Sequence, residues 1–231
     1  MSAKKPNPNS SLSAGVKKTK VLLVDDHPIV REGLVRVLER ESDLEVTGQA
    51  GSVREALEQI EQARPDFAIV DISLAGRNGI ELIKQMRLQC PQLPILVHSM
   101  HEESVYAERA LRAGASGYLM KQEAPEKLVQ AIRTIMQGEI CLNRTAVRQL
   151  VHRLAAGAQT EETTPLLSLT EREFAVFRLI GQGHGSAQVA EALSMGKKTV
   201  QVHREHIKRK LGLKDGTSLV HFAIQWMESQ S

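Results

Sequence analysis

Carboxylate side chains follow apolar runs at two points of the chain. Asp25 and Asp26 come directly after VLLV at 21–24, and Asp71 comes directly after FAIV at 67–70. Three carboxylates brought together would repel one another unless a cation lay among them. Oxygen ligands of this kind suit Mg²⁺, and an aspartate beside Mg²⁺ is equipped to attack phosphorus. These residue types therefore indicate phosphoryl transfer at a magnesium site.

Two further polar residues stand at comparable positions. Ser99 ends the run ILVHS at 95–99, and Lys121 follows GYLM at 117–120. A lysine supplies a second positive charge to a transferring phosphoryl group, and a serine hydroxyl can donate a hydrogen bond to it. All five side chains must meet for this chemistry to work, so the fold has to bring them together.

Short apolar runs at 21–24, 44–50, 67–70, 95–99 and 117–120 read as strands, and segments with helical periodicity separate them. This alternation predicts an α/β fold, a five-stranded parallel and doubly wound (flavodoxin-like) sheet with helices on both faces. Ligand sites in such sheets form beyond the carboxyl ends of the strands. The polar residues are therefore expected to converge at one edge of the sheet.

Four sequence motifs resemble, in order and spacing, the receiver domains of two-component response regulators. They are VDDHP at 24–28, DISLAGRNG at 71–79, HSMHEES at 98–104 and GASGYLMK at 114–121. The resemblance extends over roughly residues 20–138. One departure is Ala75, which stands where the family usually has proline and leaves the loop after Asp71 more flexible.

The resemblance implies a role for each residue of the site. Asp71 would be the phospho-acceptor. The magnesium ligands would be the carboxylates of Asp25, Asp26 and Asp71 and the backbone carbonyl of Ser73. The residues that respond to the phosphoryl group would be the switch pair Ser99 and Tyr118, together with Lys121. A protein of this kind accepts a phosphoryl group and can lose it again, but it is not a turnover enzyme.

Two other interpretations fit part of the pattern. In the first, Asp25 and Asp26 serve only to cap the helix after Pro28, and Lys121 pairs with Asp71 structurally. Phosphatases of the dehalogenase type also use an aspartyl nucleophile. They need an aspartate two residues further on as acid and base, and Ser73 occupies that place.

The carboxyl-terminal part of the chain has a different character. LTEREFAVFRLIGQG opens with a capping-box spacing between Thr170 and Glu173, and residues 185–213 offer two helices with a tight turn near SMG. Residues 165–231 carry nine basic and six acidic side chains, whereas residues 19–140 carry 14 basic and 19 acidic ones. A basic helical module of this kind suits contact with a polyanion.

This second module resembles the LuxR-type DNA-binding domain, and the whole chain resembles the NarL/FixJ class of response regulators. LTEREFAVFRLIGQG and KTVQVHREHIKRKL carry the resemblance, while HGSAQVAE and Gln201 depart from the usual family residues. Val200, His203, Ile207 and Leu211 are expected to face the domain interior. The opposite face would contact bases and phosphates through Lys197, Lys198, Thr199, Gln201, Val202, Glu205, Lys208 and Arg209.

The predicted organisation is a disordered tail at 1–19, a receiver domain at 20–138, a linker with a helix at 139–164 and a small all-α helix-turn-helix domain at 165–231. Cys90 and Cys141 are expected to be reduced packing residues. The apolar runs are shorter than a membrane helix requires, so we expect a cytoplasmic protein without membrane contact.

The function expected from these resemblances is phosphorylation-gated regulation of transcription. The partners would be a sensor histidine kinase, double-stranded DNA and, after phosphorylation, a second copy of the chain. The alternative is a phosphorylation-independent DNA-binding regulator that uses its receiver only as a dimerisation scaffold. In the final helix, the stripe of Leu219, Val220, Ala223, Ile224 and Met227 would support dimerisation or simply pack against the domain.

Overall fold

The computed structural model describes residues 18–74, 77–101, 103–155, 166 and 168–230. Most of the predicted tail at 1–19, the Ala75 position and the linker stretch 156–165 lie outside these ranges.

The amino-terminal part of the chain contains a parallel sheet of five strands. They are β1 (Thr19–Val24), β2 (Leu44–Ala50), β3 (Phe67–Val70), β6 (Ile95–Ser99) and β7 (Gly117–Met120). Their order across the sheet is β2-β1-β3-β6-β7. Strands β1, β3 and β6 lie in the middle and are almost wholly apolar, as expected for strands covered on both faces. The prediction of a doubly wound α/β fold is confirmed.

Four helices connect these strands, a fifth follows the last strand, and together they cover both faces of the sheet. They are α1 (Pro28–Leu38), α2 (Val53–Ala63), α3 (Gly79–Gln89), α4 (Glu103–Ala113) and α5 (Pro125–Met136). A short hairpin of β4 (Ser73–Leu74) and β5 (Arg77–Asn78) follows β3 and was not predicted. The chain order reverses between β1 and β3, which places a crevice at their carboxyl ends.

The linker begins as a continuation of the sheet. Cys141 donates its backbone N–H to the carbonyl of Ser116 at 3.1 Å and accepts from the N–H of Tyr118 at 2.9 Å, so it pairs beside β7. Helix α6 (Arg144–Ala155) follows, with its first turn capped by the Asn143 side chain, which accepts from the Ala146 N–H at 2.8 Å. A helix was predicted close to this place, and the added pairing on the sheet edge was not.

The carboxyl-terminal part consists of four helices in the described residues. They are α7 (Glu171–Gly181), α8 (Ser186–Ala192), α9 (Lys197–Leu211) and α10 (Gly216–Gln230). Helix α7 begins with the predicted capping box, in which Thr170 accepts from the Glu173 N–H and Glu173 accepts from the Thr170 N–H. Among the described residues no helix combines the length and apolarity needed to cross a bilayer.

Candidate functional site

The carboxylates predicted for the site converge at the crevice between β1 and β3. Val24 and Val70 are paired in the sheet, so the residues that follow them emerge side by side. Oxygens of Asp25, Asp26 and Asp71 and a ring nitrogen of His27 all lie within 4.8 Å of one another. The side chains of Asp25 and Asp71 are nearly inaccessible, at 3% and 2% exposed.

Lys121 enters this cluster from the end of β7. Its Nζ lies 2.5 Å from Asp25 Oδ2 and 2.8 Å from Asp71 Oδ2, and its side chain is 7% exposed. Burial lowers the pKa of Lys121, but the hydrogen bonds to the two aspartates outweigh burial and raise that pKa above its ordinary value. Lys121 is therefore a fixed positive charge at every physiological pH.

The cluster has the charge and geometry that a divalent cation requires. Three carboxylates face a single ammonium group, which leaves an excess of negative charge in a partly buried space. Asp26 Oδ1 is shielded from solvent and accepts no hydrogen bond from the described residues. This oxygen lies 2.8 Å from His27 Nδ1, which compensates its charge only when the ring is protonated, and oxygen-rich sites suit Mg²⁺. The acidic pocket of this receiver domain thus fits Mg²⁺.

The loop after Asp71 folds back so that Ser73 and Gly79 lie close to Asp71. The Ser73 N–H donates to Asp71 Oδ1 at 3.0 Å, which holds the carboxylate over the turn. A Cβ built at Gly79 would lie 2.3 Å from the Asp71 carbonyl oxygen and 2.4 Å from the Ile72 Cα. Only glycine fits at that place, so Gly79 is required for the loop geometry. The predicted role of the Ser73 carbonyl as a magnesium ligand stays a prediction.

The structure speaks against the interpretation in which the aspartates cap α1. The N-cap residue is His27, and it makes no side-chain cap hydrogen bond. Asp25 Oδ1 instead accepts from the His27 backbone N–H at 2.9 Å, which turns the chain between β1 and the helix. The Lys121–Asp71 pair of that interpretation is present, but it belongs to a larger cluster.

The predicted switch residues lie beside the carboxylates. Ser99 is fully buried and Tyr118 is 1% exposed, and burial raises the pKa of the Tyr118 phenol well above its ordinary range. The Tyr118 hydroxyl donates to the His101 carbonyl at 2.9 Å. His101 also joins Ser99, whose Oγ accepts from its N–H at 3.3 Å, and Ser73, whose Oγ lies 2.9 Å from its Nε2. The loop after β6 therefore connects the two predicted switch residues with the turn after Asp71.

Helix α4 extends this connection to the second module. The rings of His101 and Tyr106 are stacked with centroids 4.7 Å apart, and Tyr106 packs edge-on against Phe174 of α7 at 5.3 Å. The Arg109 guanidinium lies 4.5 Å from the centroid of the same Phe174 ring. Sequence reasoning did not identify these contacts, because nothing in the pattern of α4 indicates which residue lies across from it.

Arg109 also makes the polar part of this contact. Its Nη1 donates to the Leu166 carbonyl at 2.7 Å and its Nη2 donates to the Leu169 carbonyl at 2.6 Å. The arginine is 8% exposed. We call the contacts of Tyr106 and Arg109 with Leu166, Leu169 and Phe174 the interdomain seam.

The amino-terminal end of α4 contacts the linker as well. Glu103 is 3% exposed and accepts from the Asn143 backbone N–H at 2.5 Å and from its side-chain amide at 3.0 Å. Burial raises the pKa of Glu103 more than these hydrogen bonds lower it. The residue that caps the linker helix is thereby attached to the helix that follows the Ser99 loop.

Helix α9 places the predicted DNA-contacting residues on one accessible face. Val200 and Ile207 are fully buried, as expected for its inner side. Lys208 is half-buried, and the other predicted contact residues are exposed, namely Lys197, Lys198, Thr199, Gln201, Val202, Glu205 and Arg209. Glu205 accepts from Gln201 Nε2 at 3.0 Å and pairs with Lys208 Nζ at 2.8 Å. Its charge is therefore already compensated within the helix.

A buried carboxylate ties α9 to the start of α7. Glu173 is 3% exposed, and its Oε2 accepts from the Thr170 N–H at 2.8 Å and from Lys210 Nζ at 2.6 Å. Burial raises the pKa of Glu173, but Lys210 and Thr170 together bring it below its ordinary value. The capping box, which the sequence predicted, thus also contacts α9, the helix that carries the predicted DNA-contacting side chains.

Comparisons with known proteins agree with this geometry. Residues 21–133 match the response regulator receiver domain, and residues 167–223 match the bacterial regulatory proteins of the luxR family. The oxygen regulatory protein NreC of Staphylococcus epidermidis is 33% identical over 211 residues, covering 89% of this chain and 97% of that protein.

Solved structures of response regulators also align with this chain, one over part of its length and another over most of it. A LuxR-family two-component response regulator from Aurantimonas sp. aligns with a TM-score of 0.56 and 35% identity, over 60% of this chain and 99% of that one. RcsB from Salmonella enterica serovar Typhimurium, solved bound to a promoter with the phosphomimetic BeF3⁻, aligns with a TM-score of 0.56 and 25% identity. That alignment covers 90% of this chain and 98% of RcsB.

A receiver domain joined to a DNA-binding domain defines a response regulator that regulates transcription. The chain belongs to the NarL-type, LuxR-related family of these regulators.

Proposed function

We propose that this protein acts in the cytoplasm, where Asp71 accepts a phosphoryl group from the phosphohistidine of a sensor histidine kinase, and that this modification promotes dimerisation and DNA binding. The observation that carries the proposal is the convergence of Asp25, Asp26, Asp71 and Lys121 from three strand ends within one small cluster. Structural ion pairs do not need surplus carboxylates, whereas a magnesium-dependent phosphoryl acceptor does.

The chain's own residues supply most of the transfer chemistry. An Asp71 carboxylate oxygen attacks phosphorus, the bond between phosphorus and the donor nitrogen breaks, and the imidazole leaves with a proton from solvent. Lys121 holds a positive charge where the phosphoryl oxygens arrive. Asp25, Asp26 and Asp71, with the Ser73 carbonyl, would hold Mg²⁺, which neutralises charge on the transferring group.

The route from the phosphoryl site to the second module passes through the loop after β6. A phosphoryl group on Asp71 offers new acceptor oxygens to the Ser99 hydroxyl. Movement of Ser99 changes the hydrogen bond to the His101 N–H, and His101 stacks on Tyr106 of the interdomain seam. Phosphorylation then favours a second arrangement of the loop in which the seam is weaker, and releases the DNA-binding module to dimerise.

Labelling by radioactive acetyl phosphate in the presence of Mg²⁺ tests the acceptor. Asp71→Asn should abolish incorporation, because the amide is a poor nucleophile. Asp66→Asn is a matched control at the opposite end of β3, where the Asp66 carboxylate accepts from the Lys20 N–H at 3.0 Å. That variant should label like the wild type. Persistent label on Asp71→Asn would remove Asp71 from the role, whereas a wild type that takes up no label in the presence of Mg²⁺ would favour the scaffold alternative.

Binding to a random-sequence DNA duplex tests the interface of α9. Lys198→Ala and Arg209→Ala should each weaken binding to all sequences and make the salt dependence shallower by about one unit of slope, as expected for lost phosphate contacts. Lys214→Ala, beyond the end of α9, is the control. Unchanged affinity in the first two variants would contradict the assignment of this face.

A variant of the interdomain seam tests whether this contact restrains DNA binding by the unphosphorylated protein. Arg109→Ala removes two hydrogen bonds and the contact with Phe174, so the unphosphorylated variant should bind DNA several-fold more tightly than the wild type. Arg54→Ala is the control, because Arg54 pairs with Glu58 at an exposed position of α2. Equal DNA affinity of folded Arg109→Ala and wild type would show that the seam does not restrain the module.

A further inference from the structure

The linker helix α6 carries positive charge without any negative charge. Its 12 residues include three arginines and one histidine and no carboxylate. Arg144, Arg148 and His152 are exposed, and each stands four residues after the one before. At about 100° per residue these three side chains share one side of the helix. We call them the basic row of α6, and neither the phosphoryl site nor the DNA-facing side of α9 includes them.

The basic row lies on the side of α6 that faces away from the receiver. Helix α6 packs against α4, and its inner side contains Ala146, which is 3% exposed, and Leu150, which is half-buried. Both positions are about half a turn around the helix from Arg148. The receiver therefore leaves the basic row accessible to a partner.

The charges of the basic row are not compensated as other exposed cations of the receiver helices are. Several of those cations pair with a carboxylate three or four residues away, namely Arg54, Lys84, Arg112 and Lys127. Within the described ranges Arg144 and Arg148 form no ion pair. Two positive charges four residues apart destabilise a helix, and Arg144 at its first residue also opposes the macrodipole. Helix stability therefore does not explain the basic row.

Helix α4 holds α6 close to the DNA-binding module. Glu103 accepts from Asn143 directly before α6, and Arg109 donates to the carbonyls of Leu166 and Leu169 before α7. These two points of attachment are separated by about 9 Å along α4. If the seam opens, the chain still joins the two parts, so a duplex bound by α9 stays at high local concentration around α6.

A row of uncompensated cations fits the regular negative charges of a DNA backbone. We propose that the basic row of α6 is a second DNA-contacting surface, which binds backbone phosphates of the same duplex that α9 occupies. The inference rests on the proposed DNA binding by α9 and adds a contact from the linker. Phosphate contacts carry no sequence information but fix the position of a protein on the duplex. The basic row would therefore raise affinity for all sequences and orient the receiver along the DNA.

The salt dependence of DNA binding by the full chain tests this contact. The double variant Arg144→Gln/Arg148→Gln removes two charges and keeps good helix formers. Its slope of log affinity against log salt should be shallower by about two units, with about tenfold weaker binding near 0.1 M salt. Arg54→Gln/Lys127→Gln removes the same charge from exposed positions of α2 and α5 and should keep the wild-type slope. Circular dichroism checks that both variants retain their helices.

Two further measurements distinguish a phosphate contact from a loss of structure. Arg144→Lys/Arg148→Lys should keep the wild-type slope, because lysine retains the point charge. Hydroxyl-radical footprinting should show backbone protection beyond the contacts of α9 in the wild type, and this extension should disappear in the double glutamine variant. An equal slope and footprint in the glutamine variant and the wild type would overturn the inference.

An anionic lipid surface is the competing partner for α6. Val147 and Val151 lie beside the basic row and are 43% and 56% exposed, as in helices that bind membrane interfaces. Sedimentation with phosphatidylglycerol vesicles should show no binding that depends on Arg144 and Arg148. Vesicle binding lost in the glutamine variant, with its DNA binding unchanged, would replace DNA by lipid as the partner.

The variants of α9 separate this inference from the proposed function. Weaker DNA binding in Lys198→Ala and Arg209→Ala, with no change in the glutamine variant of α6, would defeat the basic row and leave the interface of α9 intact. Weaker binding in the glutamine variant alone would support the basic row and defeat the assignment of α9.

Discussion

Within the described residues two lysines pair with buried carboxylates, one in each module, and their surroundings differ. Lys121 faces two aspartates, and a third carboxylate lies within 4.8 Å of theirs. Lys210 faces one carboxylate, that of Glu173, and also donates to the Ser168 carbonyl at 3.1 Å. The Glu173 carboxylate also accepts from the Thr170 N–H and lies 3.6 Å from a nitrogen of His206. The receiver cluster has surplus negative charge, whereas the charges of the helical cluster balance.

The difference shows what distinguishes a binding site from a structural ion pair. A buried ion pair by itself is weak evidence for function, because well-formed pairs also serve to orient helices. Surplus negative charge at the end of a sheet destabilises the ligand-free protein. Such a cluster is therefore expected where a bound ligand compensates the charge. Charge balance is therefore more informative than burial, and four measurements can break or sharpen this contrast.

The largest effect on stability is expected from removing Lys121, the cation of the receiver cluster. Lys121→Met leaves Asp25 and Asp71 buried without compensation, which should cost about 3–5 kcal/mol of unfolding free energy in the absence of divalent ions. Urea unfolding followed by circular dichroism measures it. Lys127→Met, which breaks an exposed pair with Glu123, should cost less than about 1 kcal/mol. A loss of similar size in both variants would remove the contrast.

Acid should affect the receiver module before the helical one. Burial, with help from the charge of Lys121, lowers the pKa of His98 to about 4 from 6.5, so the unfolded chain binds a proton first. Stability contributed by the neutral ring is complete above pH 6.5 and is lost as the pH falls towards 4, by about 2 kcal/mol at pH 5. His98→Asn should lack this slope in urea titrations from pH 7.5 to pH 5.

The helical module provides the comparison within the same titration. Glu173 has a lowered pKa, so its contribution to stability is present above its ordinary value of 4.5 and is lost only as the pH falls below that value. Trp226 is the single tryptophan of the chain and packs on Phe174, so its fluorescence reports this module. Loss of the Trp226 signal between pH 6.5 and 5, ahead of the receiver, would contradict the expected order.

A smaller effect on stability is expected from removing Lys210, the cation of the helical cluster. Lys210→Met leaves Glu173 with its Thr170 contact, and the lysine side chain is 30% exposed, so solvent compensates part of the loss. We expect about 1–2 kcal/mol, measured by urea unfolding with Trp226 fluorescence. Added Mg²⁺ should restore nothing here, whereas it should recover part of the stability of Lys121→Met. Recovery in both variants would mean that the ion acts nonspecifically.

The smallest effect should have the opposite sign. Asp26→Asn removes one surplus charge, so the ion-free protein should gain up to about 1 kcal/mol. Millimolar Mg²⁺ should raise the unfolding midpoint of the wild type but not that of this variant. Glu61→Gln, on the exposed side of α2, is a control that should keep the response to Mg²⁺. A destabilised ion-free Asp26→Asn would contradict the surplus of charge.

The residues of the receiver cluster could be predicted from the sequence because they occupy the same kind of position. Asp25, Asp71, Ser99 and Lys121 all stand at the ends of apolar runs, and parallel strands bring such ends to one edge. The capping box of Thr170 and Glu173 was also readable, since it depends on residues three apart. The partnership of Glu173 with Lys210 was not, because it joins residues 37 apart whose relative position is set by packing.

The interdomain seam lay beyond sequence reasoning for the same reason. Nothing local marks Arg109 among the cations of α4, and its acceptors are backbone carbonyls, which every residue possesses. In the final helix, Leu219 and Ala223 are fully buried, so they pack within the domain, while Ile224 is 37% exposed and stays available for the predicted dimer contact.

The pairing of Cys141 beside β7 has a consequence for how the modules move. The chain leaves the receiver from a point fixed to the strand that carries Tyr118, and Asn143 is then fastened to Glu103. The start of the linker is therefore held to β7 by backbone hydrogen bonds. A small displacement of the backbone at Tyr118 would consequently shift the start of α6 and change the direction of that helix. Residues inserted directly after Asn143 would disturb that transmission more than the same residues placed later in the linker.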